Sequence, residues 1–222
     1  MPATSIRQFE DRAVDPGVRG FLHLPETPNG DGFVLTHGAG SSAAAPLLVA
    51  LAETFGANGF TVLRCDLPYR QSRSFGPPGP GDAVRDRAGL KNALASLRKM
   101  LSGRLFLGGH SYGGRQSSMI CAGEPDLVTA LLLLSYPLHP PRKPEQQRTQ
   151  HLPDLRPPTL FVQGTRDPFG SIAEMERALK MIPAKTKLLV VEGSGHDLGF
   201  KGKAKRETLP PQVLSELIEL LR

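Results

Sequence analysis

Three features of the sequence predict an α/β fold, with a mainly parallel sheet flanked by helices, as a single domain over residues 1–222. Short apolar runs alternate with stretches of helical periodicity from about residue 33 onward, the pattern of strands and crossover helices. Leu127 to Ser135 is apolar almost without interruption, which suits a parallel strand covered on both faces. The run Leu105-Phe106-Leu107-Gly108-Gly109-His110-Ser111-Tyr112-Gly113-Gly114 reads as strand, tight turn and helix start, with Ser111 on the turn. A chain of 222 residues can build one large core without a second domain.

Taken in order, Ser5 to Glu10 and Val18 to Leu24 alternate loosely around Asp15-Pro16-Gly17, which predicts an antiparallel pair at a sheet edge. Phe33 to Thr36 is a buried strand ending in His37-Gly38-Ala39-Gly40. Leu47, Leu48, Leu51, Ala52 and Phe55 mark a helix over about 43–55, stopped by Asn58-Gly59, and Phe60 to Cys65 is the next strand. The Pro- and Gly-rich stretch Asp66 to Gly81 is expected to be loop, and Leu90, Leu94, Leu97 and Leu101 place a helix from near Asp82. After the Ser111 unit and the strand over 127–135 comes a second Pro-rich loop, Pro137 to Pro158. Thr159 to Gln163 is a strand, Ile172 to Met181 a helix and Lys187 to Val191 a strand. Pro210-Pro211 opens a final amphipathic helix with Leu214, Leu217, Ile218 and Leu221.

The 27 Lys and Arg against 21 Asp and Glu give a net charge of +6 and a pI near 9.6. That permits anionic partners, but no DNA- or RNA-recognition motif accompanies it. Cys65 and Cys121 are far apart and have no metal-ligand spacing, so free buried thiols are expected. Met1 to Val14 lacks the apolar segment of a secretory leader and no apolar run approaches membrane-spanning length, which predicts a soluble cytoplasmic protein, monomeric or homodimeric.

A serine held on a sharp strand-to-helix turn needs small residues two positions before and after it, and Gly109 and Gly113 stand there. At this composition a Gly-x-Ser-x-Gly pentad arises by accident in roughly one chain in six, so the pentad needs support. In an open parallel sheet the residues just past strand ends build the site. Asp167, in Gln163-Gly164-Thr165-Arg166-Asp167, and His196, in Gly193-Ser194-Gly195-His196-Asp197, occupy such positions and complete the order Ser, Asp, His. Glu192 and Asp197 are rival acids, the first on a strand end and the second adjacent to the histidine it would have to face. Asp167 also suits a helix N-cap. His37 and His110 are expected to be structural, His139 to be a reserve base, and Arg115, one helical turn past Ser111, to form an ion pair. Tyr69, Arg70 and His139 follow strands and are candidate substrate contacts.

The pentad, Gln163-Gly164-x-x-Asp167, Gly195-His196 and His37-Gly38 together resemble the α/β-hydrolase superfamily over nearly the whole chain from Val18 onward. Tyr136-Pro137-Leu138-His139-Pro140 and Asp66-Leu67-Pro68-Tyr69-Arg70 are more narrowly similar to a short, dienelactone-hydrolase-like branch, which includes a hydrolase-like subunit of a nuclear histone-acetyltransferase complex and a testis-expressed relative. Dienelactone hydrolases use a cysteine where this chain has Ser111, so their substrate does not carry over. The resemblance implies a Ser111-His196-Asp167 triad acting on an ester, thioester or similar acyl bond, with backbone N–H groups of Ala39, Tyr112 and Gly40 as the oxyanion hole and no metal or organic cofactor. A competing expectation, from the likeness to a complex subunit, is an interaction module with little turnover. The superfamily's cap is typically inserted where this chain has only Tyr136 to Pro158, which implies no cap domain and an open cleft for short-acyl substrates. Arg70, Arg73, Arg142, Lys143, Arg148, Arg156, Lys201, Lys203, Lys205 and Arg206 are expected on the rim, where they would favour an anionic small-molecule acyl substrate.

Overall fold

The fold is described by a computed structural model covering residues 4–202 and 205–222; Lys203, among the expected rim cations, lies outside the described residues. The chain opens with β1 (Thr4–Asp11) and β2 (Val18–Pro25), paired antiparallel from Thr4 opposite Pro25 to Asp11 opposite Val18, with β1 at the sheet edge. β3 (Gly32–Thr36), α1 (Pro46–Ala57) and β4 (Thr61–Asp66) follow. Pro46 opens α1, where its fixed φ suits the first turn and its missing N–H is no loss.

The expected loop after β4 contains a short helix, α2 (Pro68–Ser72), which corrects the reading of this stretch as loop throughout. Pro68 again supplies the first helical position, and the buried Asp86 carboxylate accepts the Tyr69 N–H at 3.0 Å. That carboxylate belongs to α3 (Asp82–Arg98), 17 residues away, so the sequence carries no local sign of it. β5 (Leu105–His110), α4 (Tyr112–Gly123) and β6 (Ala130–Leu134) come next, then β7 (Thr159–Gly164), α5 (Ile172–Leu179), β8 (Thr186–Val191) and α6 (Leu209–Leu220). Between β6 and β7 the regular structure is a single 3₁₀ turn, Leu152–Asp154, and no cap domain is built there.

The eight strands lie in the order β1-β2-β4-β3-β5-β6-β7-β8. β2 runs antiparallel to β4, and every pairing from β4/β3 to β7/β8 is parallel. Alternation hidden in the apolar runs divides the core. Leu107, Leu131, Leu133 and Phe161 pack with Leu90, Leu94 and Ile120 on one face of the sheet, whereas Phe106, Leu132, Leu134 and Val162 pack with Leu48, Leu51, Val213 and Leu217 on the other. The parallel strands all point their carboxyl ends the same way, and Ser111, Asp167 and His196 follow β5, β7 and β8 at that end. No described helix is long and apolar enough to cross a membrane.

Candidate active site

Ser111 sits between β5 and α4 with φ 50° and ψ −115°, a backbone region that a side chain other than glycine seldom adopts. The cost of holding it there is met by tight packing around the turn. A Cβ on Gly109 would lie 2.6 Å from the backbone of Gly113 and Gly114, so strand and helix do nearly touch at that position. Gly113 is small for a different reason from the one expected. A Cβ there would stand 2.5 Å from the His37 carbonyl oxygen, in the loop after β3, so this glycine lets a distant segment approach the turn.

The three residues in question meet. Ser111 Oγ is 2.8 Å from His196 Nε2, and His196 Nδ1 is 2.8 Å from Asp167 Oδ2. The buried carboxylate accepts, so Nδ1 carries the proton and Nε2 is left to accept from the serine hydroxyl. The second Asp167 oxygen accepts the Phe169 N–H at 2.9 Å, and the Phe169 ring lies 4.3 Å from the imidazole, fixing its plane. Asp167 is not a helix cap: Ser171 caps α5 in a reciprocal box with Glu174. Of the rival acids, Asp197 accepts from the N–H groups of Gly199 and Lys201, and Glu192 is exposed.

Both structural histidines act on these loops. Leu67 N–H donates to His37 Nε2 at 3.1 Å, so His37 Nδ1 donates to the Gly38 carbonyl at 2.9 Å. His110 Nε2 donates to the His196 carbonyl at 2.8 Å and so ties the strand before the serine to the loop that carries the histidine. Burial pushes the His110 pKa down to about 4, with the neighbouring His196 adding to it, so His110 stays neutral.

Ala39 and Gly40 follow Gly38, where an added Cβ would come 3.3 Å from Ser111 Cβ, and Tyr112 follows the serine in the chain; the N–H groups of these three take no part in the turn and loop backbone hydrogen bonds of the described residues. Tyr69 and Arg70 are placed otherwise than expected. Both are buried, and Tyr69 donates its hydroxyl to the Ala39 carbonyl at 2.8 Å. Arg70 Nε donates to the Ser41 carbonyl at 2.7 Å, and its terminal nitrogens donate to the carbonyls of Ala39, Arg73 and Gly76. With their polar atoms committed to the chain, these two side chains brace the loop from behind instead of facing a substrate. Tyr112 joins the same network by donating its hydroxyl to Asp86 at 2.7 Å. Burial raises the Asp86 pKa and outweighs these hydrogen bonds, which lower it. His139 is also turned away: it is buried, donates from Nδ1 to the Pro140 carbonyl, and places Nε2 3.5 Å from Glu174 on α5.

Two charge expectations are corrected. Arg115 forms no ion pair among the described residues, and its buried Nε has no hydrogen-bond partner. The basic rim shrinks, because Arg70 is buried in the brace, Arg73 pairs with Asp82, Arg206 donates to the Phe200 carbonyl, and Arg156 lies just before β7 at the amino end of the sheet. Cys65 and Cys121 are free and buried, and burial pushes both thiols up to about 12. Among the described residues no group of three or more His, Cys, Asp or Glu is arranged to hold a metal ion.

A strand-turn-helix serine at the carboxyl edge of this sheet, hydrogen-bonded to a histidine and through it to an aspartate, defines an α/β-hydrolase architecture. The chain belongs to that family: the family described as "Alpha/beta hydrolase domain" matches residues 30–220. The fold is shared with dienelactone hydrolase from Anabaena variabilis, at 22% identity, 96% coverage of each chain and a TM-score of 0.74. It is shared as well with XC6422 from Xanthomonas campestris, described as an α/β serine hydrolase without lid, at 17% identity, TM-score 0.75 and coverage of 97% of this chain and 94% of that one. These bear out the lidless, dienelactone-hydrolase-like resemblance. A 74-residue stretch, 33% of the chain, is 40% identical to part of the polyketide synthase ThaQ of Burkholderia thailandensis, of which it spans 3%.

Proposed function

We propose that this α/β-hydrolase is a serine hydrolase cleaving a carboxylic ester, thioester or similar activated acyl bond. The observation that carries the reading is the unbroken chain of 2.8 Å contacts from Ser111 Oγ to His196 and from His196 to Asp167. In this scheme Ser111 Oγ bonds to the acyl carbon while His196 Nε2 takes its proton, and Asp167 stabilises the imidazolium that forms. The carbonyl oxygen gathers negative charge against the N–H groups of Ala39, Tyr112 and Gly40. On collapse the carbon–leaving-group bond breaks and the leaving atom receives the proton from His196. Water then gives His196 a proton as it attacks the acyl-enzyme, and the acid departs as the proton returns to Ser111.

The short connection between β6 and β7 leaves the cleft without a cap, which favours small acyl substrates free in solution. Labelling by a fluorophosphonate probe and hydrolysis of short p-nitrophenyl esters test the proposal. Wild-type protein should label and turn over, and Ser111→Ala should do neither. Adding His196→Ala to Ser111→Ala should lower the residual rate little further, because members of such a unit are strongly non-additive. Undiminished turnover in Ser111→Ala would sink it.

A further inference from the structure

Beside the nucleophile, between the loop after β3 and the loop after β8, lies a cavity of about 360 Å³, within the range of small-molecule sites. Its apolar wall is Ala45, Pro46, Leu47 and Leu48 at the start of α1, with Phe200 across from them. Gly38 and Gly40 form its inner end. A Cβ on Gly38 would come within 3.3 Å of the Ser111 Cβ, which sets this end of the cavity beside the nucleophile, and one on Gly40 would meet nothing within 4 Å, so there is open room at Gly40. Of the polar side chains in the wall, His37 and His110 bond to backbone carbonyls, Arg206 donates to the Phe200 carbonyl, and Asp197 accepts two backbone N–H groups, while Lys201 at the cavity edge is exposed.

We infer that this cavity receives the leaving group of the substrate, and that the leaving group is an aliphatic alcohol or thiol. This rests on the hydrolase reading above, and the direction follows from its chemistry. The leaving atom must take its proton from His196 Nε2, so it departs on the His196 side. Asp197 and Phe200, just past that histidine, are cavity wall. The carbonyl oxygen points at the N–H groups of the β3 loop and Tyr112, and the acyl arm takes the remaining direction, away from both loops. The apolar wall of Ala45, Pro46, Leu47, Leu48 and Phe200 rewards methylene groups in the arm that enters it.

Two ester series separate the arms: acetates of methanol through octanol, and methyl esters of acetic through octanoic acid. In the wild type, kcat/KM should rise about fourfold per methylene along the alcohol series until the cavity is full, the equivalent of about 0.8 kcal/mol per buried CH₂. Ala45→Phe, which fills the cavity, should cut the ratio of hexyl acetate to methyl acetate at least tenfold and leave the slope of the acyl series as it was. Ala45→Leu should do the same more weakly, which guards against a misfolded variant. An unchanged alcohol ratio, or a loss confined to the acyl series, would overturn the assignment. Binding is read without turnover from the methyl NMR signals of Leu47 and Leu48 titrated with 1-hexanol, expected to shift in the wild type and not in Ala45→Phe. Absence of that shift overturns the cavity inference whatever the rates. A shift without hydrolysis of any ester supports the cavity and sinks the hydrolase reading instead.

Discussion

Gly113→Ala adds one methyl group to the turn that holds Ser111, and its consequence is set by a contact across the fold. The new Cβ would sit 2.5 Å from the His37 carbonyl oxygen and 2.6 Å from Thr36 Cγ2, where ordinary contact begins at 3.4 Å. The obstructing oxygen is backbone, so no rotamer relieves it, and helix and β3 loop must part by about 0.9 Å, the difference between 2.5 and 3.4 Å. Overpacking of this kind costs about 1–3 kcal/mol of stability. The larger effect is on rate, because the displaced loop carries the proposed Ala39 and Gly40 donors, and a misplacement of about 1 Å lowers turnover roughly 10²-fold. We expect kcat on p-nitrophenyl acetate to fall by that factor, with a lower Tm in thermal unfolding. Gly123→Ala on the same helix, where a Cβ would meet nothing within 4 Å, is the control and should be neutral or slightly stabilising. Wild-type kcat in Gly113→Ala at an unchanged Tm would refute the idea that the approach of this loop builds the oxyanion site.

Asp167→Asn should preserve the fold and lower kcat about 10⁴-fold, because an amide presented to His196 Nδ1 selects the wrong tautomer; a loss under tenfold would remove Asp167 from the proposed mechanism. Burial holds His23 and His110 at pKa values of about 4, below the 6.5 or so of the unfolded chain. Between those values the unfolded state binds more protons, so their contribution is present above about pH 6.5 and is lost as pH falls toward 4, by up to about 1.4 kcal/mol per pH unit for each. Urea midpoints at pH 7.5, 6 and 5 should fall in that order, and a flat series would contradict it. With no cap to displace, the enzyme should gain nothing from an oil–water interface, so a jump in rate on triglyceride emulsions above solubility would be the wrong result.

The local features of the sequence were enough to place the strands, the Ser111 turn and the order Ser, Asp, His, because each is written within a few consecutive residues. Apolar runs bounded by glycine and proline mark strands whatever they pair with, and a serine between glycines after such a run marks the turn. Tertiary structure alone decided what Tyr69, Arg70 and Asp86 do. Tyr69 and Arg70 reach carbonyls about 30 residues away, and Asp86 joins Tyr69 to Tyr112 from a third segment. Nothing near them in sequence distinguishes a buried brace from a substrate contact, since both follow a strand and both are polar. The same holds for Gly113, whose neighbour His37 is brought to it by β3 pairing with β5. It holds also for Arg156, which sits at the amino end of the sheet because the chain crosses from one end to the other between β6 and β7. Hydrophobic periodicity sets which face of an element is buried, whereas a long polar side chain meets whatever the packing of distant elements places within its reach.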